Sequence, residues 1–280
     1  MSLSNCPVTN TYVPMERYLP KNHDTMLPDK FELNYDNGLF IGLFLAEGNA
    51  NIKKYVAITN NDLNIRNFII NWFAKYKIKC TDFARKSPLS GKDSFRVEGY
   101  STQLAKFLTL FLGRMSSGKY VPNEAFSAPD EFKIGLLNGY FSGDGTVSII
   151  ANNIVATSAS SRLIEGISML CSQLGIFGNI RTRPPRDTIE KNKLPQYVLS
   201  IAGQWSKIFA DKIPMIEPFK QERLNAIKNK EIPRTFHRNF KTIKDVILDK
   251  IISIEKLDPK KYPKVYDVTV PKTLNFGIAT

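Results

Sequence analysis

The sequence predicts an α+β fold built from two related halves, each with the element order αββαββα and its own antiparallel sheet. The first observation behind this prediction is a repeat, because residues 38–50 and 135–147 are two versions of one segment. The second is that each copy ends in an acid followed by a glycine, Glu47-Gly48 and Asp144-Gly145. The third is spacing, since the two acids lie 97 residues apart, the length of a small domain.

Small residues recur at every fourth position of both copies and define one face of a helix. Glycine inside a helix costs about 1 kcal/mol relative to alanine, so this pattern requires a compensating contact. We expect the two faces to pack against each other with their backbones nearly touching. The residues predicted to join the two halves are Gly38, Gly42 and Ala46 in the first copy and Gly135, Gly139 and Gly143 in the second.

Both helices carry sequence signals at their ends. Asn34 or Asp36 is expected to cap the first helix, and Ser127, followed by proline and two acids, is expected to begin the second. Gly48 and Gly145 stand where left-handed glycine caps usually end a helix. The two acids are therefore predicted to lie in the last turn of each helix.

The remaining elements follow from hydrophobic periodicity and turn signals. The first half is predicted to have a strand at 53–59, a helix at 62–76, strands at 78–85 and 94–99 and a helix at 101–112. The second half repeats this order with a strand at 154–158, a helix at 160–174, strands at 178–183 and 196–202 and a helix at 204–213. In each half, the segment between the acid and the next strand completes a hairpin. The predicted domains are an N-terminal extension at 1–34, a first domain at 35–127, a second domain at 128–232 and a C-terminal tail at 233–280.

The position of Glu47 and Asp144 predicts a metal site. A helix dipole disfavours negative charge in the last turn, and two helices packed in parallel would also bring the two carboxylates together. A divalent cation relieves both penalties, and Mg²⁺ prefers such oxygen ligands and often bridges phosphates. An acid followed by glycine is also a common helix stop, and one copy alone would indicate no more than that. The same arrangement found twice favours the functional interpretation.

Basic residues recur with a period of two in strands of both halves. They fall on one face of each sheet, which fits a ribbon lying in the major groove of double-stranded DNA, although solvated edge charge explains any single strand equally well. Lysine and arginine at the hairpin tips, including Lys86, Lys92 and Lys191, would reach the flanking phosphates. The predicted DNA-binding residues are Lys53, Lys54, Lys77, Lys79, Arg85, Arg96, Arg181, Arg183, Arg186 and Lys193.

Composition narrows the class of partner. Lys and Arg number 39 against 26 Asp and Glu, giving a net charge of +13, which favours a polyanion, and nucleic acid before a membrane. The three cysteines have no metal-ligand spacing, and the two histidines are isolated. With no recognisable signal peptide, we expect an intracellular protein that acts without a membrane or a protein partner.

Phe40–Gly48 and Leu137–Gly145 resemble the LAGLIDADG motif of the homing endonucleases, and the resemblance spans about 35–232. Lys119-Tyr120-Val121-Pro122 resembles the Lys-x-x-Pro block of intein-type members, and Lys220 resembles the counterpart of Lys119 in the second half. The resemblance implies a monomer with pseudo-twofold symmetry, paired central helices and saddle-shaped sheets over a long DNA site. It also implies that Glu47 and Asp144 bind Mg²⁺, that Lys119 and Lys220 assist catalysis, and that a double-strand break with short 3′ overhangs results.

One departure from the motif affects the expected activity. Glu47 stands where the family usually has aspartate, so the two strands are expected to be cut at unequal rates. A non-cleaving nucleic-acid binder of the same fold, such as an intron RNA maturase or a regulator, is the alternative, but such a protein has no need of two acids facing phosphates.

The tail at 264–271, with Asn275-Phe276, resembles a terminal intein block. An intein fragment is therefore a third interpretation. Only about thirty-four residues precede the first domain, and the chain ends without a His-Asn pair, so we expect no self-splicing.

Overall fold

The structure is a computed structural model that describes residues 7–18, 27–86, 91, 93–185, 194–231, 241–243, 246–248, 253–256, 258 and 260–261. The chain divides into two compact units. The larger unit spans Leu3–Pro233 and contains both predicted halves, and the smaller consists mainly of Arg234–Thr280. Among the described residues, no helix is both long and apolar enough to cross a lipid bilayer.

The first half has the predicted order αββαββα after a short N-terminal hairpin. Its elements are β1 (Tyr12–Pro14), a 3₁₀ turn (Met15–Arg17), β2 (Lys30–Glu32), α1 (Tyr35–Glu47), β3 (Gly48–Asn51), β4 (Tyr55–Thr59), α2 (Leu63–Lys75), β5 (Cys80–Lys86), β6 (Asp93–Gly99) and α3 (Thr102–Leu112). Strands β3 to β6 form an antiparallel sheet in the order β3-β4-β6-β5. Two short helices, α4 (Met115–Gly118) and α5 (Asn123–Phe126), lead to the second half.

The second half repeats the same order. Its elements are α6 (Asp130–Asp144), β7 (Thr146–Ser148), β8 (Asn153–Ser158), α7 (Ser161–Gln173), β9 (Asn179–Arg183), β10 (Gln196–Ala202) and α8 (Gln204–Lys212), followed by α9 (Pro218–Asn229). The antiparallel sheet has the order β7-β8-β10-β9, equivalent to that of the first half. The predicted fold class, two αββαββα halves with antiparallel sheets and paired central helices, is confirmed. In the smaller unit, β11 (Lys241–Ile243) pairs with β12 (Val246–Leu248); the tail motif predicted at 264–276 lies outside the described residues.

Helix starts are fixed mainly by side-chain caps. Asn34 caps α1, because its side chain accepts a hydrogen bond from the amide of Asn37. Asp62, Ser101 and Ser160 cap α2, α3 and α7 in the same way. The predicted cap of the second central helix was wrong, since α6 begins after Pro129 without a side-chain cap.

Ser127 instead ties the N-terminal segment to the core. Its carbonyl oxygen accepts from the amides of Thr9 and Asn10, and its hydroxyl accepts from the side chain of Asn10 at 2.6 Å. A partner that lies 117 residues away in the chain competes for the hydroxyl and removes it from the helix start.

The left-handed caps predicted at Gly48 and Gly145 were also wrong. Both residues are extended, with φ of −87° and −77°, because each helix turns directly into a strand. Glycine is required there for space. A Cβ atom would lie 2.6 Å from the Phe44 oxygen at Gly48 and 2.3 Å from the Phe141 oxygen at Gly145.

Helices α1 and α6 pack backbone to backbone with reciprocal contacts. A Cβ atom on Gly38 would lie 2.2 Å from the carbonyl oxygen of Phe132, and one on Gly135 would lie 2.2 Å from that of Tyr35. Further along, a Cβ atom on Gly139 would lie 2.2 Å from the carbonyl oxygen of Leu39. Such distances leave no room for a side chain, so the helix axes are fixed by main-chain contact.

Strand alternation gives each sheet one face toward the core and one free of core side chains, here called the open face. In the first sheet Val56, Ile58 and Val97 are buried in the core. The register then places Glu98 beside Ala57 and Arg96 beside Phe83 on the open face. In the second sheet the register likewise places Val198 beside both Thr157 and Arg181 on the open face.

Candidate nuclease centre

Two carboxylates, one from each half, stand at the ends of the paired helices. Glu47 is the last residue of α1 and Asp144 the last residue of α6. Both line one cleft of about 460 Å³, together with the start of β3 and residues of the second sheet. Glu47 is half-buried, and Asp144 keeps access to solvent. The close packing of the helices is therefore what brings the two acids to one place.

The local electrostatics disfavour two negative charges. Desolvation by the surrounding protein, followed by the charge of Glu47, raises the pKa of Asp144 to about 7, although Lys119 and Lys220 act in the opposite direction. Desolvation also raises the pKa of Glu47, again opposed by the two lysines. The positive charges of Lys119 and Lys220 thus favour the ionised form of both acids, but they do not cancel the desolvation that opposes ionisation.

The donor set fits a hydrated divalent cation. Among the described residues, no group of three or more His, Cys, Asp or Glu side chains is arranged to hold a metal ion. A cation here would be held by Glu47 and Asp144 and would keep several waters or phosphate oxygens, as Mg²⁺ does. Its positive charge would offset the desolvation that raises both carboxyl pKa values.

Lys119 is buried beneath the end of α1. Its Nζ donates to the carbonyl oxygens of Phe44 at 2.8 Å, Leu45 at 3.0 Å and Gly48 at 2.7 Å. Desolvation lowers the pKa of Lys119 to about 8, against the raising effect of Asp144 and Glu47.

Lys220 has the corresponding position in the second half. Its Nζ donates to the carbonyl oxygens of Phe141, Ser142 and Gly143 at the end of α6. It also lies 3.1 Å from the carboxylate of Glu217. Each lysine therefore contacts the helix end that carries the acid of its own half.

The cleft includes residues that the sequence did not single out. Arg114, Met115 and Ser116 line it from the segment before Lys119, and Thr157 and Gln196 line it from the second sheet, among others. Met115 is 81% exposed and has a positive φ of 59°, an uncommon conformation for a residue with a side chain. The end of the predicted helix at Leu112 and the block that begins at Lys119 flank this segment, but neither signal identifies Arg114, Met115 or Ser116 as residues of a cleft.

The predicted DNA-binding residues other than Lys77 fall into three groups. All of Lys53, Lys54, Lys79, Arg85, Arg181 and Arg183 are exposed; Lys53 and Lys54 lie in a turn, Lys79 directly precedes β5, and the three arginines lie on strands. Arg96 lies on the open face, where its Nε is 2.7 Å from Glu98 and its guanidinium lies over the ring of Tyr55. Arg186 and Lys193, like Lys92 and Lys191, which were predicted at hairpin tips, lie outside the described residues.

Lys77 does not share the strand face on which it was predicted. It follows α2 with a φ of 53°, and β5 begins only at Cys80. Lys77 lies in the turn that follows the helix. Its side chain is exposed, but it does not belong to the strand and so has no place on either of its faces.

Comparison with known proteins agrees with this architecture. The LAGLIDADG-like domain family matches residues 131–214. A crystal structure of I-DmoI in complex with DNA and Ca superimposes with a TM-score of 0.51 and 15% identity, covering 71% of this chain and 99% of that one. This likeness is one of fold.

Two curated relatives match most of the chain. It is 32% identical over 270 residues to the RNA polymerase subunit Rpo1C of Methanocaldococcus jannaschii, covering 93% of this chain and 28% of the relative. It is 25% identical over 240 residues to the DNA helicase Hel308 of Thermococcus kodakarensis, covering 82% of this chain and 20% of the relative. The chain thus spans less than a third of the length of either relative. The family match and the superposition on I-DmoI show that the chain has the LAGLIDADG fold and that its residues 131–214 are a LAGLIDADG-like domain.

Proposed function

We propose that the chain is a site-specific endonuclease that makes a double-strand break in a long DNA target with the help of Mg²⁺. The observation that carries this proposal is the joint position of Glu47 and Asp144. Each ends a central helix, and main-chain contact between the helices brings both to one cleft. Two acids at one centre provide for the cutting of two strands, one carboxylate for each.

The chain's own residues have distinct parts in this reaction. Glu47 and Asp144 hold the cation, which when bound supplies Lewis-acid polarisation of the phosphate and a more acidic water. The open faces of the two sheets orient the duplex, with Arg85, Arg181 and Arg183 exposed along them. Both halves come from one chain, so we propose that a monomer acts. The neighbour of the same fold, I-DmoI, has been crystallised with DNA and Ca, which supports a divalent metal and a DNA partner here.

The relatives support an origin in a mobile element. A polymerase subunit and a helicase have different named activities, yet both contain sequence similar to most of this chain. Residues 1–232 make up about 83% of the chain, so a match of 93% extends into the tail at 233–280. A shared segment carried within unrelated proteins is expected of an intein-derived or intron-encoded element, and we infer that this chain derives from one and acts inside the cell.

The decisive experiment is binding followed by cleavage. The protein is used with Ca²⁺ to select duplexes from a randomised double-stranded DNA library, and the selected DNA is then incubated with Mg²⁺ or Mn²⁺. We expect cuts in both strands for the wild type, nicking of a single strand for Glu47→Gln and for Asp144→Asn, and no cleavage for the double variant. Glu131→Gln, which changes an exposed acid in the first turn of α6, is the matched control and should cut normally.

The same experiment tests the alternative. Tight, selective binding without cutting in either metal would leave a non-cleaving binder of the same fold, such as a maturase or regulator. Retention of carboxylates in both halves weighs against that outcome, since a binder gains nothing from negative charge facing phosphates.

A further inference from the structure

The three ammonium protons of Lys119 are fully occupied. A lysine has three donors and no acceptor, and Nζ of Lys119 donates to the carbonyl oxygens of Phe44, Leu45 and Gly48. The side chain is buried, with 7% of its residue surface exposed, and the ammonium lies 5.1 Å from the centre of the Phe44 ring. Contact with a DNA phosphate would break at least one of these bonds.

Lys220 repeats the arrangement on the other helix. Phe141 and Ser142 are the repeat equivalents of Phe44 and Leu45, 97 residues along, and Lys220 donates to both of their carbonyl oxygens. Lys119 precedes the short helix α5, and Lys220 lies within α9. Both halves therefore place an ammonium group on equivalent carbonyl oxygens, which indicates a shared requirement of the two helix ends.

The two helix ends need an additional hydrogen-bond donor because Gly48 and Gly145, which follow them, are extended. A helix leaves its last carbonyls without partners, and a left-handed cap usually satisfies them through the amides that follow. Gly48 and Gly145 each supply one such bond, to the oxygens of Phe44 and Phe141, before the chain leaves as a strand. A cation at this point satisfies the remaining oxygens and opposes the negative end of the helix dipole.

We infer that Lys119 and Lys220 are positioning residues that each hold the end of one central helix, and through it the carboxylate of that helix, rather than donors to the scissile phosphate. This inference rests on the proposed function for its catalytic consequence only. Its structural part, the capping of α1 by Lys119 and of α6 by Lys220, stands on the hydrogen bonds alone. The two roles make different predictions for each strand of DNA and for each helix end.

The first test is amide hydrogen exchange on the protein without DNA or metal. Lys119→Met should speed exchange at the end of α1, residues 45–48, by about tenfold, equivalent to about 1.4 kcal/mol, and leave the end of α6 unchanged, because the variant removes a cation that caps one helix end only. Lys220→Met should do the reverse, so each variant is the control for the other. Lys106→Met, at an exposed position on α3, should change neither end. Unchanged exchange in both variants would overturn the capping role.

The second test is strand-resolved cleavage of the selected duplex in Mg²⁺. Lys119→Met should slow the cut that Glu47→Gln abolishes, and Lys220→Met the cut that Asp144→Asn abolishes, with the other strand cut at its normal rate. If either variant slows cleavage of both strands alike and leaves amide exchange unchanged, the lysine acts through the charge of its ammonium group on the phosphate instead of by capping the helix. If Lys119→Met fails to fold, Lys220→Met, at the more exposed of the two lysines, and Lys119→Arg, which keeps the positive charge, are used to distinguish the two roles. A wild type that cuts nothing would refute the proposed function, while the exchange result would still decide the capping.

Discussion

Gly42 faces the carbonyl oxygen of Leu136 so closely that a Cβ atom at this position would lie 2.1 Å from it. The contact joins the middle of α1 to the middle of α6, so neither helix can move aside without displacing its half. We expect Gly42→Ala to lower the free energy of unfolding by about 2–3 kcal/mol, measured by denaturant titration, because the added methyl group meets main chain rather than a flexible side chain. Gly118→Ala, where a Cβ atom would meet no neighbour within 4 Å, is the matched control and should change stability little.

The last small pair of the interface, Ala46 and Gly143, accommodates a single methyl group. A Cβ atom on Gly143 would lie 2.5 Å from that of Ala46, so Gly143→Ala should destabilise the fold. The combined variant Ala46→Gly, Gly143→Ala only moves the methyl across the interface and should recover about 1 kcal/mol or more of that loss. The measurement is a double-mutant cycle on the unfolding free energy. Strict additivity would mean that the two positions do not share this space.

Because of the raised pKa of Asp144, the stability of the metal-free protein is expected to fall as the pH rises toward neutral. The carboxyl has a pKa of about 7 in the folded chain against an ordinary 3.8, so the folded state holds its proton longer than the unfolded state. Stability from this group is present below pH 3.8 and is lost as the pH rises toward 7. We expect the melting temperature of Asp144→Asn to exceed that of the wild type by about 2 °C or more at pH 7.5 in chelator, and by less at pH 4.5.

Adding Mg²⁺ should reverse this difference at pH 7.5. The wild type gains stability because the cation binds its folded state, whereas Asp144→Asn lacks one of the two carboxylates. A wild type that is insensitive to Mg²⁺ in the melting experiment would argue against the metal site.

Glu47 and Asp144 differ by one methylene, so the two halves of the centre are not equivalent. We expect the wild type to nick one strand of its target faster than the other. Glu47→Asp restores the shorter acid and should change the ratio of the two nicking rates more than it changes DNA affinity. Quantifying nicked and linear product from a supercoiled plasmid carrying the site measures both rates. Equal rates in wild type and variant would show that acid length is not limiting.

Arg96 is expected to contribute to base selection rather than to general affinity. Its Nε pairs with Glu98, and one terminal nitrogen donates to the side-chain oxygen of Asn49 at 3.4 Å. The other terminal nitrogen remains for a base edge on the open face, where the second half has Val198. Arg96→Ala should cost about 1–3 kcal/mol on the selected site and broaden the preference at one position. Lys54→Ala, in an exposed turn, should weaken all sequences alike and flatten the salt dependence by about one phosphate. Repeating the library selection with each variant distinguishes the two effects.

The sequence by itself determined the repeat, the element order and the two acids at the helix ends. These are local properties: small residues at every fourth position define a helix face, and an acid followed by glycine ends it within one turn. The same locality explains why Asn34, one of the two predicted caps of the first helix, is the cap, since its side chain accepts from an amide three residues away.

Only the tertiary structure decided how the helix ends are completed. Lys119 reaches the oxygen of Phe44 across 75 residues of chain, and the hydroxyl of Ser127 accepts from the side chain of Asn10 instead of from an amide of its own helix. Gly48 and Gly145 are glycines because neighbouring atoms leave no space, which no local pattern distinguishes from a left-handed cap. Periodicity fixes which face a residue occupies, whereas the partner it meets there depends on how distant segments pack.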